Sequence, residues 1–333
     1  MAVALTGYNV FLRDMNGALA YILAIGPGTR WAFSSPPDPH PLPRPPPYTR
    51  LRASRIWRTF DLLVNWRLIN LPPSPPLPRS SRIYLSFLHY HFFYLLYHVI
   101  ASDILTYPSL RLMVDYPSAS YTAFRLAVAH QYDVPKIGVD ALIAISQGVA
   151  TYHGLCLAWH LFALLGIGSG LWIGEEWPKI SNKPHLATSL NEFWGRRWHQ
   201  LLREPIAFVL SFLPFTLPRS LYILTFFLIS GLIHSPLFYA VTGSFNFPAF
   251  ISSFFIYGLG CVLEREFWLC TGKRKRVGGP LGVVWMWIWL IGGTIMMVSS
   301  FWKPESEFLM GQIKESINSS FTHIIWQWYG KRY

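Results

Sequence analysis

Charge is what this chain has least of. Asp, Glu, Lys and Arg make up 13% of its 333 residues, about half the quarter typical of soluble domains. That deficit excludes an ordinary water-soluble globule, and a hydrophobic content of 52% with 17% aromatics points the same way. Cysteine is scarce too. Cys156, Cys261 and Cys270 make no disulfide framework and lack metal-ligand spacing, so no metal is expected. The start, MAVALTGYNVFLRD, lacks a basic stretch followed by a long apolar core, which argues against a signal peptide.

Long uncharged runs are what the chain does have. Ile83–Leu105, Val139–Ile167, Leu221–Val241, Phe247–Leu263 and Val283–Phe301 contain no Lys or Arg, and Asp103 and Asp140 are their only carboxylates. Most reach the roughly 17–25 residues that a helix needs to cross a bilayer. Ile206–Leu217 is too short to cross and is closed by Pro214 and Pro218, so it reads as re-entrant or buried. The expected fold is therefore all-α: a polytopic membrane helix bundle of about five to seven spans with a short re-entrant segment and an interfacial helix. The expected division is an N-terminal region (1–82), a membrane domain (83–302) and a C-terminal tail (303–333).

The basic excess, 28 Lys and Arg against 16 acids, is localised. Eight arginines and one acid, Asp61, lie between Arg44 and Arg82. The stretch Gly168–Pro205 carries Lys179, Lys183, Arg196, Arg197 and Arg203, and Glu264–Gly282 carries Arg265 and Lys273-Arg274-Lys275-Arg276. Stretch 106–138 has three basic residues and 242–246 none. The positive-inside rule puts the three basic stretches in the cytosol. That holds only if Ile206–Leu217 does not cross. It leaves the C-terminal tail lumenal, with Asn318-Ser319-Ser320 as a glycosylation sequon. Basic residues beside spans are explained by topology and anionic lipid, so a nucleic-acid partner is not expected.

Two proline tracts, Pro36–Pro47 and Pro72–Pro78, predict extended spacers. Between them, Ile56, Trp57, Phe60, Leu63 and Val64 recur with helical period among arginines. Such a basic amphipathic helix either lies in the membrane surface or packs on the bundle.

Two features suggest chemistry. In the stretch Ser189 to Gln200, Ser189 and Glu192 form the capping pattern S-x-x-E. The predicted helix runs through Phe193, Trp194, Trp198, Leu201 and Leu202 until Pro205 stops it. Asn191 and His199 then fall near one side, while Arg196, Arg197 and Arg203 lie largely elsewhere. An interfacial helix that only anchors its Trp and Arg among headgroups has the same pattern. The second feature is His234, in the apolar run Leu221–Val241 within Ser230-Gly231-Leu-Ile-His234-Ser235-Pro236. An ionisable group at membrane depth is a functional candidate by default. Small residues there permit close approach, and Pro236 frees a backbone carbonyl one turn earlier. His89, His91, His98, His153 and His160 read instead as hydrogen-bonded packing residues or interface neighbours.

Ser189…Phe193-Trp194…Trp198-His199, Ser230-Gly231-Leu-Ile-His234 and the upstream Trp57…Asp61-Leu62-Leu63 resemble the membrane-bound O-acyltransferase superfamily. The likeness is to its wax-synthase-like branch, especially fungal acetyltransferases of secondary metabolism, and covers roughly residues 50–302. Residues 1–49 offer no convincing span where many relatives have one, and Leu68 stands where a glycine is expected. The resemblance implies that His234 is the catalytic histidine, with Asn191 or His199 as its polar partner. It implies acetyl-CoA, or a longer acyl-CoA, as co-substrate, with no bound cofactor, and an apolar alcohol as acceptor. Arg196, Arg197, Trp194 and Trp198 are the expected acyl-CoA contacts. A multi-pass location in the endoplasmic reticulum is expected, with the Trp-Arg-His helix facing the cytosol. A long-chain wax-ester synthase uses the same residues, and a multi-span transporter is the alternative of another class.

Overall fold

The computed structural model describes residues 84–118, 120–169, 177, 179–199, 201–213, 216–243, 245–272, 277–302 and 307–330. The proline tracts, the predicted helix Arg50–Asn70 and the run Lys273–Arg276 lie outside them. Among the described residues the secondary structure is all helical. The long helices are α1 (Tyr84–Asp115), α3 (Lys136–Gly168), α6 (Arg219–Thr242), α7 (Phe247–Cys270) and α8 (Gly279–Phe301). Shorter ones are α2 (Tyr121–Gln131), α4 (Leu190–Glu192), α5 (Arg203–Leu210), α9 (Glu307–Asn318) and α10 (Phe321–Gly330). Four of them, α3, α6, α7 and α8, are long and apolar enough to cross a membrane. Helix α1 is as long as these, at 32 residues, but its tyrosines and histidines make it less apolar.

The helices pair as antiparallel neighbours. On α1 and α3, His91 faces His160 and His98 faces His153, with Nδ1 atoms 2.8 and 2.9 Å apart. Seven residues up one helix match seven down the other, which fixes the antiparallel register. Helix α7 packs on α6 at Gly231, where an added Cβ would sit 3.1 Å from Ile251 and Phe254. It packs on α8 at Gly260, where a Cβ would press on Trp289 and Leu190. Tyr257 bridges to Thr294 of α8, oxygen to oxygen 2.8 Å.

Loops sort to two ends. At one end the backbone N–H groups of Leu190 and Asn191 donate to Glu264, Ser220 Oγ donates to Glu266 (2.5 Å), and Thr188 lies against Gly282. At the other, Asn246 N–H donates to the Ser300 carbonyl (2.7 Å) and the Trp302 indole to the Ser118 carbonyl (3.1 Å). Because α4 and the start of α6 share one end, α5 does not cross. Its eight residues, roughly 12 Å of helix, dip in and bury Ile206 and Leu210. The non-crossing segment predicted at Ile206–Leu217 is thus present, shifted toward the N-terminus.

Three sequence boundaries are corrected. Stretch 106–138 is largely helical: α1 continues through Pro108 to Asp115, and α2 follows, capped by Ser120 accepting from Ala123 N–H. The proline breaks one backbone bond, while Asp103 and Tyr107 of the same segment are fixed from outside. The Asp103 carboxylate accepts from the Thr322 N–H and hydroxyl (2.9 and 2.8 Å), and Tyr107 Oη bonds His323 Nδ1 at 3.0 Å. The expected tail is therefore two helices, α9 and α10, with α10 docked on α1; buried Ser320 of the sequon accepts the His323 N–H. Third, α7 extends seven residues past the predicted end, placing Glu264 on the helix and not in a loop. The other buried carboxylate, Asp140, accepts from the Tyr121 hydroxyl (2.7 Å) and pairs with Arg125 (2.9 Å), as a charge at membrane depth must.

Candidate active site

The segment after Ser189 starts as predicted and then departs. Ser189 Oγ accepts the Glu192 N–H at 3.1 Å. The Glu192 carboxylate reaches back one residue further than expected, to the N–H (2.8 Å) and hydroxyl of Thr188. Those bonds, led by the Thr188 backbone, and Arg197 beside it hold its carboxyl below the ordinary range. After one α turn, Phe193–Arg197 winds as a π turn closed by Trp198 N–H donating to the Phe193 carbonyl (2.7 Å). The Arg197 carbonyl is taken by Asn182 N–H (2.8 Å), and Trp198 turns out to an extended conformation. The helix predicted to run to Pro205 therefore ends at Arg197; Pro205 sits in the first turn of α5. Single π turns are frequent at functional sites. Here the five-residue period stacks Phe193 on Trp198, centroids 5.2 Å apart at 19°.

Turning out at Trp198 carries His199 over α6. Its ring centroid is 6.1 Å from that of His234, and the Phe254 ring closes the other side of His234 at 5.2 Å. Two predicted residues thirty-five positions apart in sequence are thus brought together. His234 Nδ1 lies 2.7 Å from the Ser230 carbonyl and 3.5 Å from its hydroxyl. A carbonyl oxygen has no proton to give, so Nδ1 is the donor, and a neutral ring then bears its lone pair on Nε2. The carbonyl freed by Pro236, that of Leu232, is taken by the Ser235 hydroxyl at 2.9 Å. His199 Nδ1 is buried without a hydrogen-bond partner. Burial, and secondarily the nearby His234, push the His199 pKa down to about 3, so it stays neutral beside any charge that develops on His234.

Asn191 is not brought to the histidines. Its side-chain amide donates to Glu264 (2.8 Å) and to the Cys261 carbonyl (3.0 Å). Glu264 also accepts the N–H groups of Leu190 (2.6 Å) and Asn191 (2.9 Å). One buried carboxylate from α7 therefore tethers the start of the segment that delivers His199. The sequence reading missed Glu264 because it ended the span at Leu263. The signal was the acid-bearing triplet Glu264-Arg265-Glu266 directly abutting an apolar run.

The four expected acyl-CoA contacts separate. Arg196 is exposed. Arg197 is engaged with Glu192 (2.7 Å) and with the carbonyls of Asn182 and Lys183. Trp198 lies between His199 and Tyr152 of α3. Trp194 packs against Phe227 and Tyr257 in the core cluster beneath α4. Among the described residues no group of three or more His, Cys, Asp or Glu is placed to hold a metal ion.

A profile of the Membrane bound O-acyl transferase family matches residues 177–257, an interval that contains His199 and His234. The chain is similar to acetyltransferase spyB of Aspergillus fumigatus, 26% identical over 156 residues, covering 38% of this chain and 26% of the relative. It is also similar to acetyltransferase atnC of Arthrinium sp, 28% identical over 153 residues, covering 40% of this chain and 34% of the relative. A third relative is the probable long-chain-alcohol O-fatty-acyltransferase 2 of Arabidopsis thaliana, 29% identical over 141 residues, covering 38% and 41% respectively. No solved structure matches the chain. The resemblance to the membrane-bound O-acyltransferase superfamily is thereby borne out. The matched stretch spans 26% to 41% of the length of these three relatives.

Proposed function

We propose that this chain carries the reaction centre of a membrane O-acyltransferase that moves an acetyl group from acetyl-CoA to a hydroxyl of an apolar acceptor. The observation that carries this reading is the commitment of His234 Nδ1 to the Ser230 carbonyl, which leaves Nε2 as the bare nitrogen. In the proposed reaction the acceptor hydroxyl gives its proton to Nε2 as its oxygen attacks the thioester carbon. The carbon–sulfur bond then breaks, and the departing sulfur takes the proton from the imidazolium, so the base is restored. General-base help of this kind is worth roughly 10²–10⁴ in rate, and alignment of the two substrates adds to it. Neutral His199 stands beside His234 without opposing its positive charge, and its unpartnered Nδ1 suits the thioester carbonyl. Asn191, with Glu264, positions this segment and does not touch the reacting atoms.

The three basic stretches support a cytosolic face for the end bearing α4, in the endoplasmic reticulum, where charged coenzyme A arrives from water and the acceptor from lipid. The named acetyltransferases among the relatives favour acetyl, and the resemblance to the wax-synthase-like branch favours a terpenoid or related secondary metabolite as acceptor. The plant relative keeps a second reading in view, a wax-ester synthase using a long acyl chain and a fatty alcohol. Membranes bearing the chain, incubated with labelled acetyl-CoA or palmitoyl-CoA and a panel of apolar alcohols, test both. A new acetyl ester supports the first, a palmitoyl ester supports the second, and absence of any ester sinks the enzyme reading.

A further inference from the structure

Beneath α4, one aromatic cluster holds three indole nitrogens that are buried without a hydrogen-bond partner, Nε1 of Trp194, Trp285 and Trp289, and Nδ1 of His199 over α6 is a fourth such atom. Buried donors are satisfied as a rule, and leaving one unmade is costly. His199 has its account above. The three indoles do not, and they are ordered in space. Trp285 and Trp289 stand one turn apart on α8, rings 5.3 Å from each other. Trp289 abuts Gly260 beside Leu190, at the end of the bundle that bears α4. One turn further in, Gly293 lies against the Tyr257 ring, and that ring is 5.0 Å from Trp194. Trp194 in turn reaches His199 through Trp198, at 6.0 and 5.6 Å. The unmet donors therefore run from the α4 end of the bundle toward the histidine pair.

An indole nitrogen only donates. A ligand that answers three of them must bring acceptor oxygens on a slender neutral chain. A fatty alcohol brings one. The pantetheine arm of an acyl-coenzyme A brings three carbonyls in a row: two amides and the thioester. Resting on the transfer reading above, we propose that Trp285 and Trp289 donate to the amide carbonyls of that arm and Trp194 to the thioester carbonyl. Trp194 then acts on the oxygen that gains charge during attack, while the other two hold the arm.

The test replaces each with Phe, which keeps an aromatic ring but removes the N–H together with part of the indole, so the readout is the split between donor and acceptor kinetics and not stability. The expected result for W285F and W289F is a fall in the ratio of kcat/KM for acetyl-CoA over that for a truncated acetyl thioester, by roughly 3–10-fold each, as for one hydrogen bond. For W194F, kcat falls roughly 10²–10³-fold with both thioesters, as when a donor to a developing oxyanion is lost. An unchanged ratio in W285F and W289F, or a rise in the alcohol's KM in place of the donor's, overturns the assignment. Calorimetric binding of coenzyme A to the purified chain separates this proposal from the transfer reading. Binding that weakens in W285F and W289F while no ester forms sustains the tryptophan path and sinks the enzyme. Wild-type protein that binds no coenzyme A overturns the path.

Discussion

Six of the described histidines turn inward between helices, in two groups with opposite hydrogen-bond economies. Between α1 and α3, His91, His98, His153 and His160 are buried, and each spends its Nδ1 on another histidine. His98 and His160 also stack, 5.5 Å apart at 19°. Between the α4 segment and α6, His199 and His234 face each other at 6.1 Å with no hydrogen bond between them, one leaving Nδ1 unpartnered and the other using Nδ1 on its own helix. Burying a polar group is tolerated when its partner comes with the fold, and a partner missing from the fold marks a place for something else. On that criterion the quartet is a clamp holding α1 to α3, and the unpaired couple is where the reaction is proposed to take place.

Substitutions sharpen this contrast in order of expected effect. His234→Ala removes the base and lowers transfer roughly 10²–10⁴-fold, with insertion into membranes unchanged by a protease-protection assay. Glu264→Gln leaves one acceptor oxygen where three N–H groups converge. Because hydrogen bonds to charged groups are worth roughly 1.5–3 kcal/mol each, kcat falls about 10–100-fold while both KM values change little, measured by initial rates. His98→Leu strands the His153 nitrogen and destabilises by roughly 1–3 kcal/mol in thermal melts of detergent-purified protein. Pairing it with His153→Leu recovers most of that loss, since both partners are then gone. The rate per folded molecule stays within a few-fold in either case; a hundred-fold loss would make the quartet part of the chemistry.

The smallest effect is on acid stability. The His199 pKa is lowered in the folded chain to about 3 from an ordinary 6.5, first by burial. Above 6.5 the group is neutral folded or unfolded and contributes nothing to pH dependence. Between 6.5 and about 3 the unfolded chain takes up a proton that the folded chain refuses, so stability falls as pH falls. His199→Phe removes that proton uptake, so the fall in melting temperature between pH 6.5 and 4 becomes shallower than in the wild type. An identical slope would place His199 in water.

Much of this was legible in one sequence, for identifiable reasons. Spans write themselves in uncharged runs, so α3, α6 and α8 fall within a few residues of their predicted limits. The non-crossing of α5 followed from a short run closed by prolines, and charge agreed, because a crossing would have put the basic stretch after α7 on the wrong side. His234 stood out because an imidazole among apolar residues is costly. What failed to show was what depends on contact across the bundle. The π turn at Phe193–Arg197 has no local code; it is set by Asn182 capturing the Arg197 carbonyl and by Trp198 stacking on Phe193. For the same reason Asn191 read as a polar partner of His234 when its amide belongs to Glu264. The unpaired indoles of Trp285 and Trp289 were invisible, since a tryptophan in an apolar run looks satisfied until its neighbours are known.

The claim beneath the rest is that His234 carries its proton on Nδ1 and bares Nε2. Nitrogen-15 spectra of histidine-labelled protein in lipid, with the His234 signals assigned by their loss in His234→Ala, read this tautomer directly at neutral pH. The account predicts a protonated Nδ1 and an unprotonated Nε2 that shifts when an alcohol acceptor is added. A protonated Nε2, with Nδ1 bare against the Ser230 carbonyl, would contradict it.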